Sequence, residues 1–467
     1  MSEPLTRGVR VGYATGSVAT GAFGTVPGLM LLPFLTDSLG IGALYAGMIV
    51  FLPKAWDVIL NPIAGRISDR TSDPRGPRRP WLLRGGLSLA VAFALLFAGP
   101  AFGSQSLDAL WVLACFLGCA TAYAFFQVPY VAMPAEITDS YDERTRLMSW
   151  RVAVLAFTIM LAGATAPLIR DAVGGRDGYR LMGLMMAVLI AVGVVGTYFG
   201  TARAPHLEVT AGTGSLREQL RIVSQARDFR LLLITFVLQA LATGCMLAGV
   251  DYLAGDVLDS QGASTILFVC FVGPALLLTP LWARIGTRVG KKAGYVAASL
   301  VLAAGALLAV VSRDAPAGVV FAAVALVGCG YAGAQVFPLA MLPDAAAADA
   351  VRTGSSRVGV FTGVWTAAET LGLALGPGLF ALMLTLGDYR SSTSGDVAQP
   401  DSAVTAIVLG FSLLPALLIL LSLVWLSRYS LGDPSLVTPA IGGAPGSAPD
   451  TAPDTALDTA LDTEETS

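Results

Sequence analysis

Apolar residues along this 467-residue chain gather into a dozen stretches of roughly 20 residues, separated by short polar breaks. A helix of that length crosses a hydrocarbon layer of ~30 Å. The stretches lie near 11–35, 41–66, 82–103, 108–136, 148–168, 180–202, 231–255, 264–285, 293–312, 317–343, 357–386 and 403–427. The pattern predicts an all-α membrane protein with twelve transmembrane helices.

The polar breaks are unequal. Arg66, Arg70, Arg75, Arg78 and Arg79 follow the second span, Arg144 and Arg146 the fourth, and Arg217, Arg221 and Arg227 the sixth. Arg288, Lys291 and Lys292 follow the eighth, and Arg352 and Arg357 the tenth. Intervening loops such as 36–40 and 103–108 carry no basic residue, while Arg170 and Arg176 after the fifth span are exceptions. Short basic loops stay on the cytoplasmic side, so both termini are expected there, in a cell membrane. The longest break divides the chain into a six-helix bundle over 1–202, a linker over 203–230 and a second bundle over 231–428. Within the linker, 216–226 reads equally as a surface amphipathic helix or a solvated one. Residues 429–467 turn into an Ala/Pro/Asp/Thr repeat too polar to fold, a predicted disordered tail.

An internal echo supports two equivalent halves. The run from Gln127 to Glu136 in span four is repeated by Gln335 to Asp344 in span ten, and Asn61-Pro62 in span two by Thr279-Pro280 in span eight. Members of each pair are six spans apart and so enter the membrane from the same side, as parallel repeats do.

Composition removes several function classes. The chain is 55% hydrophobic and 13% charged, against about 25% charged in soluble domains. A net charge of −3 with basic residues confined to short loops gives no nucleic-acid surface. The five cysteines lie in apolar stretches, which argues against a disulfide framework, and the N-terminal segment shows no cleavable leader pattern. The one histidine, His206, sits in the linker, so no histidine metal site or intramembrane histidine relay can be built. No Ser/His/Asp set or nucleotide loop is present in the spans, so an enzyme is not expected.

Candidate chemistry concentrates in span two. Lys54, Asp57 and Asn61 share one helical face. A charge near mid-membrane costs roughly 2.5–3.5 kcal/mol on insertion scales, so this face must meet a partner or a wet cavity. It serves either as an ion and solute site or as a Lys54–Asp57 pair that only locks the bundle. Thr15, Ser17 and Thr20 on span one, Gln127 on span four, Gln239 on span seven and Glu369 on span eleven fall at compatible depths. Glu369 contacts solute or takes up a proton, or else pairs with Lys54 across the halves. Tyr123, Tyr130, Tyr252 and Trp365 can stack on a sugar or acyl chain, although packing explains each one singly. At the helix ends, Asp69, Arg70, Asp142, Arg144 and Arg146 interleave acids with bases, as a switchable cytoplasmic gate or as a solvated loop.

These residues also carry a resemblance. Gly65, Asp69-Arg70 and Arg78-Arg79 resemble the loop motif of the major facilitator superfamily. Trp56-Asp57, Asn61-Pro62, Ser68-Asp69-Arg70, Arg78-Arg79-Pro80-Trp81, Pro129-Tyr130, the run from Asp142 to Leu147 with Ser149 and Arg151, Arg352-Thr353-Gly354 and Gly363-Val364-Trp365 are similar to the glycoside–pentoside–hexuronide:cation symporter family, which includes the melibiose carrier. The resemblance implies sodium-, lithium- or proton-coupled symport by alternating access. By position, Asp57 matches a cation-site aspartate, Lys54 a neighbouring basic residue, Gln127 a polar position of span four and Arg151 an arginine opening span five.

Departures narrow the expectation. Asn61 stands where the family usually has a second aspartate, Gly21 where sugar carriers have a hydroxyl-gripping aspartate, and Thr370 where a lysine is common. Ala347, Ala348 and Ala350 replace an acidic and aromatic run. The expected function is a secondary active, cation-coupled symporter of a small solute such as a sugar or glycoside. Asp57, Asn61 and Gln127 would serve coupling, with Asp57 the candidate sodium ligand if the ion is not a proton. Lys54, Thr20, Tyr130, Arg151, Trp365 and Glu369 would line the solute path. An amphiphilic, lysolipid-like cargo and a non-transporting sensor on the same fold are the alternatives. No cofactor is expected, and a monomer is.

Overall fold

A computed structural model describes residues 5–71, 73, 76, 78–138, 140–204, 216–260, 262–353, 358–393 and 397–431. Six long helices form the first half: α1 (Arg7–Pro33), α2 (Ala43–Asp69), α3 (Arg79–Ala98), α4 (Gln105–Ile137), α5 (Tyr141–Val173) and α6 (Gly175–Gly200). A short α7 (Leu216–Gln225) precedes α8 (Arg227–Tyr252), α9 (Ala263–Val289), α10 (Lys291–Leu308), α11 (Ala317–Thr353), α12 (Val358–Leu386), α13 (Asp401–Phe411) and α14 (Leu413–Ser427). Twelve segments are long and apolar enough to cross a membrane, with α13 and α14 together making the last. This is an integral multi-pass membrane protein of the twelve-helix, two-bundle kind that the hydropathy pattern predicts.

Helix ends differ from the apolar boundaries for local reasons. The fifth helix starts at Tyr141, well before the expected 148, because the Ser140 hydroxyl accepts from Glu143 N and caps a polar first turn. The tenth span continues through Pro343 to Thr353 as one helix. The twelfth is interrupted at Ser412, whose hydroxyl donates to Val408 O at 2.5 Å. Prolines occur inside most long helices, for example Pro53 and Pro62 in α2. In a bilayer a helix tolerates them because neighbouring side chains and helices re-satisfy the freed carbonyls. Threonine hydroxyls are satisfied in the same way: Thr121 donates to Leu117 O and Thr158 to Val154 O, both at 2.8 Å.

In the first half α1 packs on α5 and α6, α3 on α4 and α6, and α2 on α4. In the second, α8 packs on α12 and α14, and α11 on α9 and α10. Small residues set the closest approaches. A Cβ on Gly12 would lie 2.4 Å from Gly200 Cα, so α1 and α6 touch backbone to backbone. The same holds between Gly376 of α12 and Gly244 of α8, at 2.4 Å from the Gly244 carbonyl carbon.

The two halves repeat local detail. The Arg78–Glu136 ion pair ties the start of α3 to the end of α4, and Lys291–Asp344, at 2.5 Å, ties the start of α10 to the corresponding place in α11, just after Pro343. Both α1 and α8 run on into a widened π-turn, Phe34–Ser38 and Leu253–Val257. Leu39 N donates to Phe34 O in one, and Leu258 N to Leu253 O in the other.

Between the halves, α2 packs on α12, α5 on α9 and α1 on α8. Among the described residues, the hydrogen bonds and ion pairs that join the halves all lie at the end opposite the termini. Thr36 and Tyr252 share a 2.7 Å hydroxyl contact, Arg170 meets Asp251 at 2.5 Å, and Thr265 donates to Ala164 O at 3.1 Å. Midway along α1, Gly24 is exposed with open space beside it. Among the described residues, the polar contacts between the halves thus form a latch at that one end.

The amphipathic stretch of the linker forms helix α7, which packs on α8 and α12. His206 and, from residue 432 on, the tail expected to be disordered lie outside the described residues.

Candidate solute and ion site

Helix α2 presents Lys54, Asp57 and Asn61 along one face between Pro53 and Pro62. Asp57 is 4% exposed, and its Oδ1 has no hydrogen-bond partner among the described residues. The Lys54 ammonium does not neutralise it by contact. It sits over the Phe23 ring at 4.8 Å and the Phe116 ring at 6.0 Å, a cation–π arrangement, with no ion pair to Asp57 or Glu369 among the described residues. Neither the locking Lys54–Asp57 pair nor the cross-half Lys54–Glu369 pair is formed in this conformation. Asn61, half-buried, follows one turn on.

Helices α1, α4 and α5 bring the remaining first-half residues alongside. The Thr20 hydroxyl donates to Gln127 Oε1 at 2.8 Å. Tyr130 is fully buried, stacks on Tyr13 with ring centroids 4.8 Å apart and donates to Tyr13 O at 2.9 Å. Since its one proton is spent there, the 2.9 Å contact with Ser17 is a donation from Ser17 Oγ to Tyr130 Oη. The Arg151 guanidinium lies 5.5 Å from the Tyr130 ring centroid, and its buried Nε is unpartnered among the described residues. Tyr123 packs on Phe23 at 4.7 Å and feels the charges of Asp57 and Arg151. An Asp57 carboxyl oxygen and an Arg151 nitrogen, each unpartnered among the described residues, thus share one polar seam with several hydroxyls in the first half.

Glu369 and Trp365 belong to the other half. Glu369 lines a pocket between α8, α11 and α12 with Gln239, Thr243, Tyr331 and Gln335. Trp365 is 2% exposed and stacks on Phe236 at 4.3 Å, so its ring serves packing between α12 and α8 in this conformation. Its indole Nε1 is unpartnered among the described residues.

Gly21, the position of the missing aspartate, is closed by packing. A Cβ there would meet Thr158 Cβ at 2.9 Å and Cγ2 at 3.0 Å. Thr370 turns its hydroxyl onto Thr366 O at 2.9 Å.

Of the charges expected to form a gate near the termini, Asp69, Arg144 and Arg146 make bonds inside the first half. Asp69 accepts from Arg78 at 2.9 Å, and Arg78 also reaches Glu136. Glu143 accepts from Arg146 at 3.1 Å and from Arg10 at 2.9 Å. Arg144 donates to Thr138 O at 2.8 Å, and Arg70 is exposed. The Asp142 side chain lies outside the described residues. No pair described here bridges the halves at this end. The bridging set is at the other end, around Arg170, Asp251, Asp37, Asp256 and Tyr389, and sequence reasoning did not single it out. Arg170 carried the available signal, as a basic residue breaking the charge asymmetry of the loops.

Among the described residues no group of three or more His, Cys, Asp or Glu is placed to hold a metal. Asp57 is a lone carboxylate, so an ion there would draw its other ligands from neutral oxygens such as Asn61 and Gln127.

The chain is 25% identical to the inner membrane symporter YicJ of Escherichia coli, over 92% of each chain. It is also 25% identical to the glucuronide carrier protein homologue of that organism, over 93% of this chain and 94% of the other. It is 24% identical to the sodium-dependent lysophosphatidylcholine symporter 1 of Mus musculus, over 90% of this chain and 85% of the other. Among solved structures, the nucleoside transporter NupG aligns with a TM-score of 0.60 at 13% identity, over 90% of this chain and 98% of the other. A bacterial homologue of the human lysosomal transporter Spinster aligns at 0.65 and 11%, over 90% and 95%. The fold is thus the major facilitator fold, and the protein is a carrier rather than an enzyme. With residues 12–433 matching the family described as MFS/sugar transport protein, the chain belongs to that family.

Proposed function

We propose that this protein is a cation-coupled symporter of a small solute, with Asp57 as the coupling carboxylate. The observation that carries the reading is the buried Asp57 Oδ1, without a partner among the described residues, in a seam that also holds Arg151 Nε, likewise unpartnered among them. A buried charge left unpaired costs far more than a satisfied one, so a cation or proton arriving at Asp57 is bound strongly. Gln127 and Asn61 supply neutral oxygens beside it, and Lys54 limits how much positive charge the site accepts. Relatives named as symporters, one of them sodium-dependent, support coupled transport.

Solute would enter between the polar seam of the first half and the Glu369 pocket of the second. With both termini cytoplasmic, the latched end faces outward and the described conformation is the inward-facing one. Asp69, Arg70, Asp142, Arg144 and Arg146 would close the opposite end when the halves rock. The relative named as a glucuronide carrier supports a glycoside-like solute.

A second reading is favoured by Gly21. Thr158 leaves no room for the carboxylate with which sugar carriers of the family grip hydroxyls, so an amphiphilic solute fits the path as well. Liposomes containing the purified protein, given an imposed proton or sodium gradient, decide between these. Gradient-driven accumulation of labelled glycosides but not lysophospholipids supports the first reading, and the reverse supports the second. No gradient-dependent flux of either, with solute binding retained, would overturn symport and leave a sensor.

A further inference from the structure

At the latched end one hydroxyl serves two acids. Tyr389 Oη lies 2.9 Å from Asp37 Oδ1 and 3.2 Å from Asp256 Oδ2. A phenol has one proton and can donate to only one of them. Burial, and after it the Asp37 carboxylate, hold the Tyr389 hydroxyl far above its ordinary pKa, so it is a phenol and not a phenolate. The second oxygen contact is then a hydrogen bond only if the other carboxyl is itself a donor. Neither acid has a lysine or arginine in ion-pair contact among the described residues.

The surrounding charges do not supply a substitute. From α8, Asp251 adds a further negative charge that reaches both acids, but Arg170 of α5 neutralises it at 2.5 Å, with Ser264 donating to its other oxygen at 2.6 Å. Arg170 is further engaged by Asp171 at 2.7 Å. Tyr179 of α6, Tyr252 of α8 and Tyr45 of α2 bring no cation to it. In the loop after α12, Asp388 and Arg390 are exposed, Asp259 after α8 is exposed, and Asp401 of α13 is held by Arg313 at 2.6 Å.

We propose that Asp37, Tyr389 and Asp256 form a proton-binding site that holds one proton when the halves are latched and releases it when they part. The two acids occupy the same place in the two π-turns that repeat between α1 and α8. Asp37 belongs to the first half, while Asp256 and Tyr389 belong to the second. On opening, Asp37 leaves with its half and is solvated, and the Tyr389 proton suffices for Asp256 alone. The extra proton then has no acceptor pair to bridge and goes to water.

The sign follows from linkage. A proton bound in the latched state and absent from the open one favours latching at acid pH, and the advantage falls as pH rises. For one proton the latched-to-open ratio falls by at most about tenfold per pH unit. The inference rests on the alternating-access reading for its consequence, though the shared proton itself does not.

Infrared difference spectra of the purified full chain test the proton directly. The wild-type protein should show a protonated carboxyl C=O band that shifts in D2O and is missing from Asp37→Asn and from Asp256→Asn, while Asp57→Asn retains it. In parallel, spin labels on Leu107→Cys and Val311→Cys, both exposed at this end on opposite halves, report the separation as pH is raised. Wild type should shift toward the open distance, and Asp256→Asn, whose amide donates to Tyr389 without a proton from solution, should stay latched. A band unchanged in both single variants overturns the proposal, as does a wild-type separation independent of pH. A latch that instead closes with added sodium and shows no carboxyl band also overturns it. Failure of symport appears separately, as absent gradient-driven uptake with the band intact.

Discussion

Arg170 of α5 and Asp251 of α8 meet at 2.5 Å across the boundary between the two halves, and no other ion pair between described residues joins them. Arg170 also donates to Tyr179, and Asp251 also accepts from Ser264, so the pair is held from both sides. Such a contact has to break whenever this end opens. It therefore sets part of the balance between states, at a place where the sequence signals only Arg170, by breaking the charge asymmetry of the loops.

Removing one partner should cost more than removing both. Arg170→Gln leaves Asp251 partly buried without its cation, a change worth about 3–5 kcal/mol in buried pairs. Asp251→Asn in the same chain should restore part of that. A double-mutant cycle on thermal unfolding of the purified protein should give a coupling of at least about 1 kcal/mol. Additive effects would show that the pair contributes nothing to the latched state.

At Asp57 the structure separates stability from function. The carboxylate is buried, and its Oδ1 has no partner among the described residues. Neutralising it removes a desolvation cost. Asp57→Asn should therefore melt no lower than wild type while losing gradient-driven accumulation by about tenfold or more, the effect of roughly 1.4 kcal/mol of lost coupling. Solute exchange without a gradient should continue. Intact accumulation in this variant would remove Asp57 from the coupling role.

Gly21 offers a steric test of cargo. Aspartate placed there meets Thr158 within 3 Å, and overpacking of this kind costs typically 1–3 kcal/mol. Gly21→Asp should lower thermal stability, and adding Thr158→Ala should recover much of the loss. If the double variant then gains binding of glycosides, the packing of α1 against α5 is what excludes a sugar grip in the native chain.

Much of this architecture is legible in hydropathy and loop charge, because a bilayer forces every backbone polar group into a helix and so ties span to apolar length. Lys54, Asp57 and Gln127 stand out for the same reason: polar atoms at mid-membrane depth have to face inward. What periodicity does not carry is the pairing. Lys54 rests on Phe23 and Phe116 rather than on Asp57 because aromatic faces from α1 and α4 reach it in three dimensions. Asp37, Asp256 and Tyr389 lie in turns at helix ends, where an acid in the sequence reads as solvated. Only the meeting of two halves makes them neighbours. Glycines such as Gly12 and Gly200 likewise read as weak helix formers until their backbones are seen in contact.

Gln239 yields the last prediction, from its hydrogen-bond inventory. Its Nε2 lies 2.9 Å from Ser299 Oγ and 3.0 Å from Ser422 Oγ. Each serine spends its own proton on its helix, Ser299 on Tyr295 O at 2.8 Å and Ser422 on Ile419 O at 2.6 Å. Both hydroxyls must then accept, which uses both amide protons and fixes the orientation of the amide. Oε1 is left as a buried acceptor without a partner among the described residues, in a residue that lines the pocket of Glu369. Two acceptors in one pocket call for a solute group or water that donates. Gln239→Leu also breaks the serine contacts and should lower stability. Gln239→Glu keeps the shape but doubles the negative charge at the pocket. If solute donates to this pocket, Glu369→Gln should weaken its binding by about 1.5–3 kcal/mol, the range for hydrogen bonds to charged groups, with little change in melting temperature. Equal solute affinity in Glu369→Gln and wild type, read by calorimetry on the purified protein, would place the solute outside this pocket.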